Sequence, residues 1–214
     1  MKQLLIIGAG GFGREVAEWA RQSTAFRREW EVAGFLDDRP EALAAYPDNG
    51  LPIIGSTLDY RPGPNDVFLC ALGDPRLRAE MRQRFQERGA VFTRLIHASV
   101  VMGRGVQLDP GVILCPGVVL TTDLHIGANT ALNVSSAVGH DAEIGVDCQI
   151  SSFCDITGWV RIGDRVLLGS GARLIPGRQV GSDAVVGAGA VVVRDVPPAV
   201  TVFGNPATVL TRRQ

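Results

Sequence analysis

The chain has 214 residues, enough for one large domain or two small ones with real cores. Its 21 Lys and Arg against 22 Asp and Glu leave almost no net charge, which argues against a general nucleic-acid binder. The 26 glycines and 12 prolines stand beside 46% hydrophobic residues, so the chain reads as turn-rich and folded, not disordered.

The first element is the apolar run Leu4-Leu5-Ile6-Ile7, a buried strand, which glycines interrupt at once. It is too short for a signal peptide, and no segment is long enough to span a bilayer, so the expectation is a soluble, cytoplasmic protein without a membrane partner. Gly8-Ala9-Gly10-Gly11-Phe12-Gly13 follows, and Arg14 to Ala20 has amphipathic helical spacing. Val32 to Leu36 is a second strand ending in Asp37-Asp38, and Asp66 to Leu72 a third, ending at Gly73. Pro75 opens a charged helix that stops at Gly89. Strands alternating with helices predict a small parallel α/β sheet over residues 1–94, a Rossmann-like domain.

The glycine loop fits G-x-G-x-x-G between a strand and a helix, where backbone N–H groups receive a diphosphate. Asp37 and Asp38 are then placed to accept from ribose or base donors. A dinucleotide fold needs two βαβ halves, and only three strands are read here, so one mononucleotide half is expected. A nucleotide sugar fits that room better than NAD or FAD.

From Ile96 the period changes. Steps of six land on Ile96, Met102, Leu108, Leu114, Leu120, Ile126, Leu132 and Val138, and continue through Ile144, Ile150 and Ile156 to Val192 without an insertion. This is the hexapeptide pattern of a parallel β-helix over residues 95–214. Each hexad gives a short strand and a turn, three hexads close an 18-residue triangular coil, and the aliphatic positions fill the axis. The four cysteines form no CxxC pair and read as small apolar residues of a reducing compartment.

Three histidines are available. His97 lies at the junction of the two regions and His125 next to a turn, and both read as structural. His140 falls at the third hexad position, near a corner, and points outward. Eighteen residues on, Gly158 lies over it, leaving open space and a bare N–H suited to an oxyanion. Asp141 follows His140 and supports its imidazole; Asn133 is also outward-prone and able to orient it.

The ending Asp195-Val196-Pro197 followed by Gly204-Asn205-Pro206-Ala207 resembles the C-terminal signature of hexapeptide acyltransferases. Those are left-handed β-helices, an exception to right-handed crossovers. The stretch Asn133-Val134-Ser135-Ser136-Ala137-Val138-Gly139-His140-Asp141 resembles more specifically the two-domain nucleotide-amino-sugar N-acetyltransferases, grouped with sialic-acid O-acetyltransferase-like proteins. The resemblance implies a homotrimer in which His140 is the general base. Acetyl-CoA lies between neighbouring β-helices on Gln149, Gly158, Ser170 and Ala188. The nucleotide sugar lies on Gly10, Gly11, Phe12, Asp37, Asp38 and Gly73, with no metal or redox cofactor. The implied reaction is acetyl transfer to the amine of a nucleotide-linked sugar, a 4-amino-4,6-dideoxy sugar of surface glycan synthesis. Two departures stand out: Gln149 replaces the family's second histidine, and Ser151-Ser152-Phe153 replaces its small-residue turn. O-acetylation of a sugar hydroxyl and a non-catalytic nucleotide-sugar-binding role remain alternatives on sequence alone.

Overall fold

A computed structural model describes residues 1–210; residues 211–214, the end of the expected β-helical region, lie outside the described residues. The N-terminal region is a parallel sheet of β1 (Lys2–Ile7), β2 (Trp30–Leu36), β3 (Ile53–Gly55) and β4 (Asp66–Cys70), ordered β3-β2-β1-β4. Helices α1 (Gly11–Arg21) and α2 (Pro75–Glu87) cover it. Three strands were expected and four are present. β3 escapes pattern reading because it is three residues long, too short to display a period.

β1 is central, which is why its four aliphatic residues run without alternation. Leu4 and Ile6 pack with Val16, Ala17 and Ala20 of α1, while Leu5 and Ile7 pack with Met81 and Phe85 of α2. Asp74 caps α2 by accepting from the N–H groups of Arg76 and Leu77, and Gly89, at φ +81°, turns the chain after its last turn.

From Leu95 the chain is a parallel β-solenoid of two-residue strands on three faces. The first face carries Leu95–Ile96, Ile113–Leu114, Ala131–Leu132, Gln149–Ile150, Leu167–Leu168 and Val185–Val186. The second runs from Val101–Met102 to Val191–Val192, and the third from Gln107–Leu108 to Gln179–Val180. The residues at steps of six fill the axis from Leu114 to Val192, all buried. Met102 is the exception, 42% exposed, because it lies on the first rung of its face with a coil on one side only. A second inward position, four residues later in each hexad, is occupied by small side chains such as Val118, Ala142, Cys148, Cys154, Ala172 and Ala184. It explains two of the cysteines: they fill corners where larger residues do not fit. Burial pushes the Cys148 thiol up to about 12 and the Cys154 thiol to about 11.

The first face is apolar outside as well as inside because the N-terminal region sits on it. Leu95, Ile113 and Ala131 share a core with Leu4, Ile6 and Val16. Arg78 of α2, fully buried, bridges the two regions. Its guanidinium donates to the carbonyls of Cys70 and Leu72 at 2.8 and 2.9 Å and through Nε to Asn129 at 3.0 Å. Arg82 pairs with the buried Asp147 at 2.7 Å. Among the described residues no helix is long and apolar enough to cross a membrane.

Candidate active site

His140 stands on the corner between the second and third faces. The turn there puts Asp141 at φ +58°, a left-handed conformation that Asp tolerates, and folds its carboxylate back onto the imidazole. Asp141 Oδ2 lies 2.8 Å from His140 Nδ1, so the carboxylate fixes Nδ1 as the protonated nitrogen and leaves Nε2 as an acceptor. Gly158 lies above: a Cβ there would come within 2.7 Å of Nε2. The Gly158 N–H is bonded to no backbone carbonyl among the described residues, whereas the next N–H, of Trp159, donates to the His140 carbonyl at 2.9 Å. A base, a carboxylate behind it and a free donor above it form a corner suited to acyl transfer.

Trp159 belongs to this site and was missed by the sequence reading. Its ring meets the His140 ring edge to face, centroids 4.3 Å apart at 89°. The signal lies in the spacing, since 159 is 141 plus one coil of 18.

The other predicted residues gather elsewhere. Asn133, Ser170 and Ala188 stand on the corner between the first and second faces, where the Ser170 carbonyl accepts from Gly189 N–H at 2.9 Å. Asn133 does not orient His140 within one chain: its amide oxygen is taken by Val134 N–H at 2.7 Å, one corner away. Gln149 lies on the first face, buried, with its side-chain oxygen unpartnered. His97 bridges Ser99 and Gln22 at the regional junction, and His125 lies 3.1 Å from Asp109 on the third face; neither approaches His140. Among the described residues no three His, Cys, Asp or Glu side chains converge as a metal site requires.

In the N-terminal region the strand order places a topological switch between β1 and β4, and the crevice at their carboxyl ends is where such sheets bind ligands. Gly10, Gly11 and Gly73 line it, each with open space where a side chain would project. Gly13 is required for a different reason: a Cβ there would collide with the Gly8 carbonyl, so the glycine lets α1 start against β1. Phe12 points away, onto Trp19, with ring centroids 6.4 Å apart.

The two aspartates both have partners within the chain. Asp37 accepts from Ala9 N–H at 2.9 Å, from Arg39 N–H at 3.0 Å and twice from the Arg39 guanidinium, which fills its four acceptor positions. It shapes the glycine loop. Burial alone would raise its carboxyl, but these donors outweigh that and hold it below the usual carboxylate range. Asp38 is engaged by Ser56 Oγ at 2.6 Å and by Thr57 N–H and Oγ at 2.7 and 2.8 Å.

From Gly73 a groove of about 520 Å³ runs between the start of α2 and the first face, lined by Asp74, Arg76, Arg165, Leu167 and Asp183. Leu167 is the rung next to Gln149. This groove and the glycine crevice therefore lie over the first face, whereas His140 occupies the corner opposite that face.

A sheet with a glycine-loop crevice, joined to a hexad solenoid that carries a His–Asp pair under a bare glycine, defines a hexapeptide-repeat acyltransferase. The family model of the PglD N-terminal domain matches residues 3–85, and that of the hexapeptide repeat of succinyl-transferase matches residues 159–194. No curated protein matches the chain in sequence. Among solved structures, PerB, the perosamine N-acetyltransferase of Caulobacter crescentus, seen in complex with CoA and GDP-perosamine, is 32% identical, with a TM-score of 0.86 over 99% of this chain and 98% of its own. The acetyltransferase domain of PglB from Neisseria gonorrhoeae FA1090 is 30% identical, with a TM-score of 0.88 over 98% of this chain and 100% of its own. WeeI from Acinetobacter baumannii AYE is 30% identical, with a TM-score of 0.86 over the same shares. The chain belongs to this family of two-domain hexapeptide-repeat acetyltransferases.

Proposed function

We propose that the protein transfers the acetyl group of acetyl-CoA to the amino group of a nucleotide-linked amino sugar, a 4-amino-4,6-dideoxy sugar made for surface glycans in the cytoplasm. The observation that carries this reading is the His140–Asp141 pair at 2.8 Å with Nε2 open beneath Gly158. The relatives' complexes with CoA, acetyl-CoA and GDP-perosamine support the substrate class. Residues 1–94 hold the nucleotide sugar on Gly10, Gly11 and Gly73, and residues 95–214 carry the transfer site.

The neutral amine attacks the thioester carbonyl as His140 Nε2 takes its proton, and Asp141 stabilises the resulting imidazolium. The Gly158 N–H donates to the oxyanion. Collapse breaks the carbon–sulfur bond, and the CoA thiolate takes the proton from His140. Holding both substrates together supplies much of the rate.

Because the crevice and His140 lie on opposite sides of one solenoid, the site is assembled from two copies in a homotrimer. The His140 and Gly158 corner of one protomer then faces the Asn133, Ser170 and Ala188 corner of its neighbour, with Gln149 at the edge of the acceptor groove. The expected result with acetyl-CoA and a panel of UDP-, GDP- and dTDP-linked 4-amino sugars is thiol release with one sugar, and a product carrying an amide acetyl group by mass spectrometry. Acetyl found on a hydroxyl would establish the O-acetyltransferase alternative. Binding without turnover across the panel would favour a non-catalytic role.

A further inference from the structure

We infer that Trp159 is a positioning residue for His140: its indole packs against the imidazole so that Nε2 stays under Gly158. The inference rests on His140 being the base, and it starts from a backbone anomaly. Every corner from Gly105 to Gly189 places one residue in the left-handed region. Those residues are Gly, Asp or Asn, which reach that region most readily, at all positions except Ser135, Phe153, Trp159 and Arg165. A bulky residue there is disfavoured by its backbone, so its side chain needs a reason to be present. Arg165 has one in its double contact with Asp183, at 2.9 and 2.8 Å.

For Trp159 the reason is His140. The ring is 56% exposed, so it does not serve the core. Its ring makes the edge-to-face contact with the imidazole, centroids 4.3 Å apart. His140 is thus held twice, by Asp141 at Nδ1 and by the indole at the ring. The Asp141 bond by itself leaves the imidazole free to swing about that contact. The indole removes this freedom, and a base displaced by even 1 Å loses much of its efficiency.

Substitution by Asn separates this role from a structural one, because Asn suits the left-handed backbone. Trp159→Asn is expected to keep or raise the melting temperature while kcat falls at least tenfold. KM for acetyl-CoA and for the acceptor, GDP-perosamine or the most active member of the panel, should change less than twofold. Trp159→Phe is expected to restore most of kcat, since it returns an aromatic face. If the Asn variant folds and its kcat stays within twofold of wild type, or if kcat falls only in step with lost stability, the inference is overturned. His140→Ala run alongside distinguishes the two levels. An inactive His140→Ala beside a fully active Trp159→Asn removes the positioning role alone, whereas a fully active His140→Ala removes the base assignment on which it stands.

Discussion

The two regions solve the problem of burying apolar surface in opposite ways. In the solenoid one rule is applied repeatedly: Leu132, Ile150 and Leu168 occupy equivalent sites, differing only in which coil they close. In the N-terminal region each contact is made once, between residues with no period between them, such as Asp37 with Ala9 and Arg78 with Cys70. A repeat makes structure predictable and leaves chemistry to its exceptions. His140, Gln149 and Trp159 are among the hexad residues that depart from what their positions normally hold. In the N-terminal region no background pattern exists, so functional and structural residues look alike until the contacts are seen.

The largest expected effect tests the equivalence of the repeats. Ile150→Ala and Ile156→Ala, neighbours in the axial stack, should each cost about 2–5 kcal/mol in urea unfolding and agree within about 1 kcal/mol. A large difference would mean that the coils are not interchangeable. Next comes the singular contact between the regions. Arg78→Met leaves the Cys70, Leu72 and Asn129 carbonyls without their donor and should cost about 3 kcal/mol. It should also weaken nucleotide-sugar binding, because Gly73 follows Leu72, whose carbonyl Arg78 holds. Gly158→Ala should lower kcat at least tenfold, since the new methyl meets the His140 ring at 2.7 Å, with little change in melting temperature. The smallest effect concerns Asp37. Its carboxyl is held below the usual value, so it contributes stability that is full above about pH 4 and is lost as pH falls through its folded value. Asp37→Asn should flatten that acid limb of the unfolding midpoint against pH and cost about 1 kcal/mol at neutral pH.

The solenoid was legible almost residue by residue, because a six-residue spacing admits one architecture and its stacking arithmetic put Gly158 over His140. What the period could not convey was which corner faces which region. Asn133 is seven residues from His140, and a hexad plus one residue is enough to move it to a different corner. The glycine loop was legible for the same reason as Gly13: a missing side chain is a strong statement about close approach. The partners of Asp37 and Asp38 were not, since an acidic pair after a strand gives no hint that it holds Ala9, Arg39, Ser56 and Thr57. β3 was lost to its length, and Arg78 because a charged helix gives no hint which of its arginines will be buried.

The central claim is that His140 moves the proton in acetyl transfer to a nucleotide-linked amine. The direct measurement is the turnover of His140→Ala with acetyl-CoA and the preferred nucleotide sugar, beside calorimetric binding of both substrates. The account predicts turnover reduced about 10²- to 10⁴-fold with both affinities within threefold of wild type. Turnover within threefold of wild type, with the same binding, would contradict it.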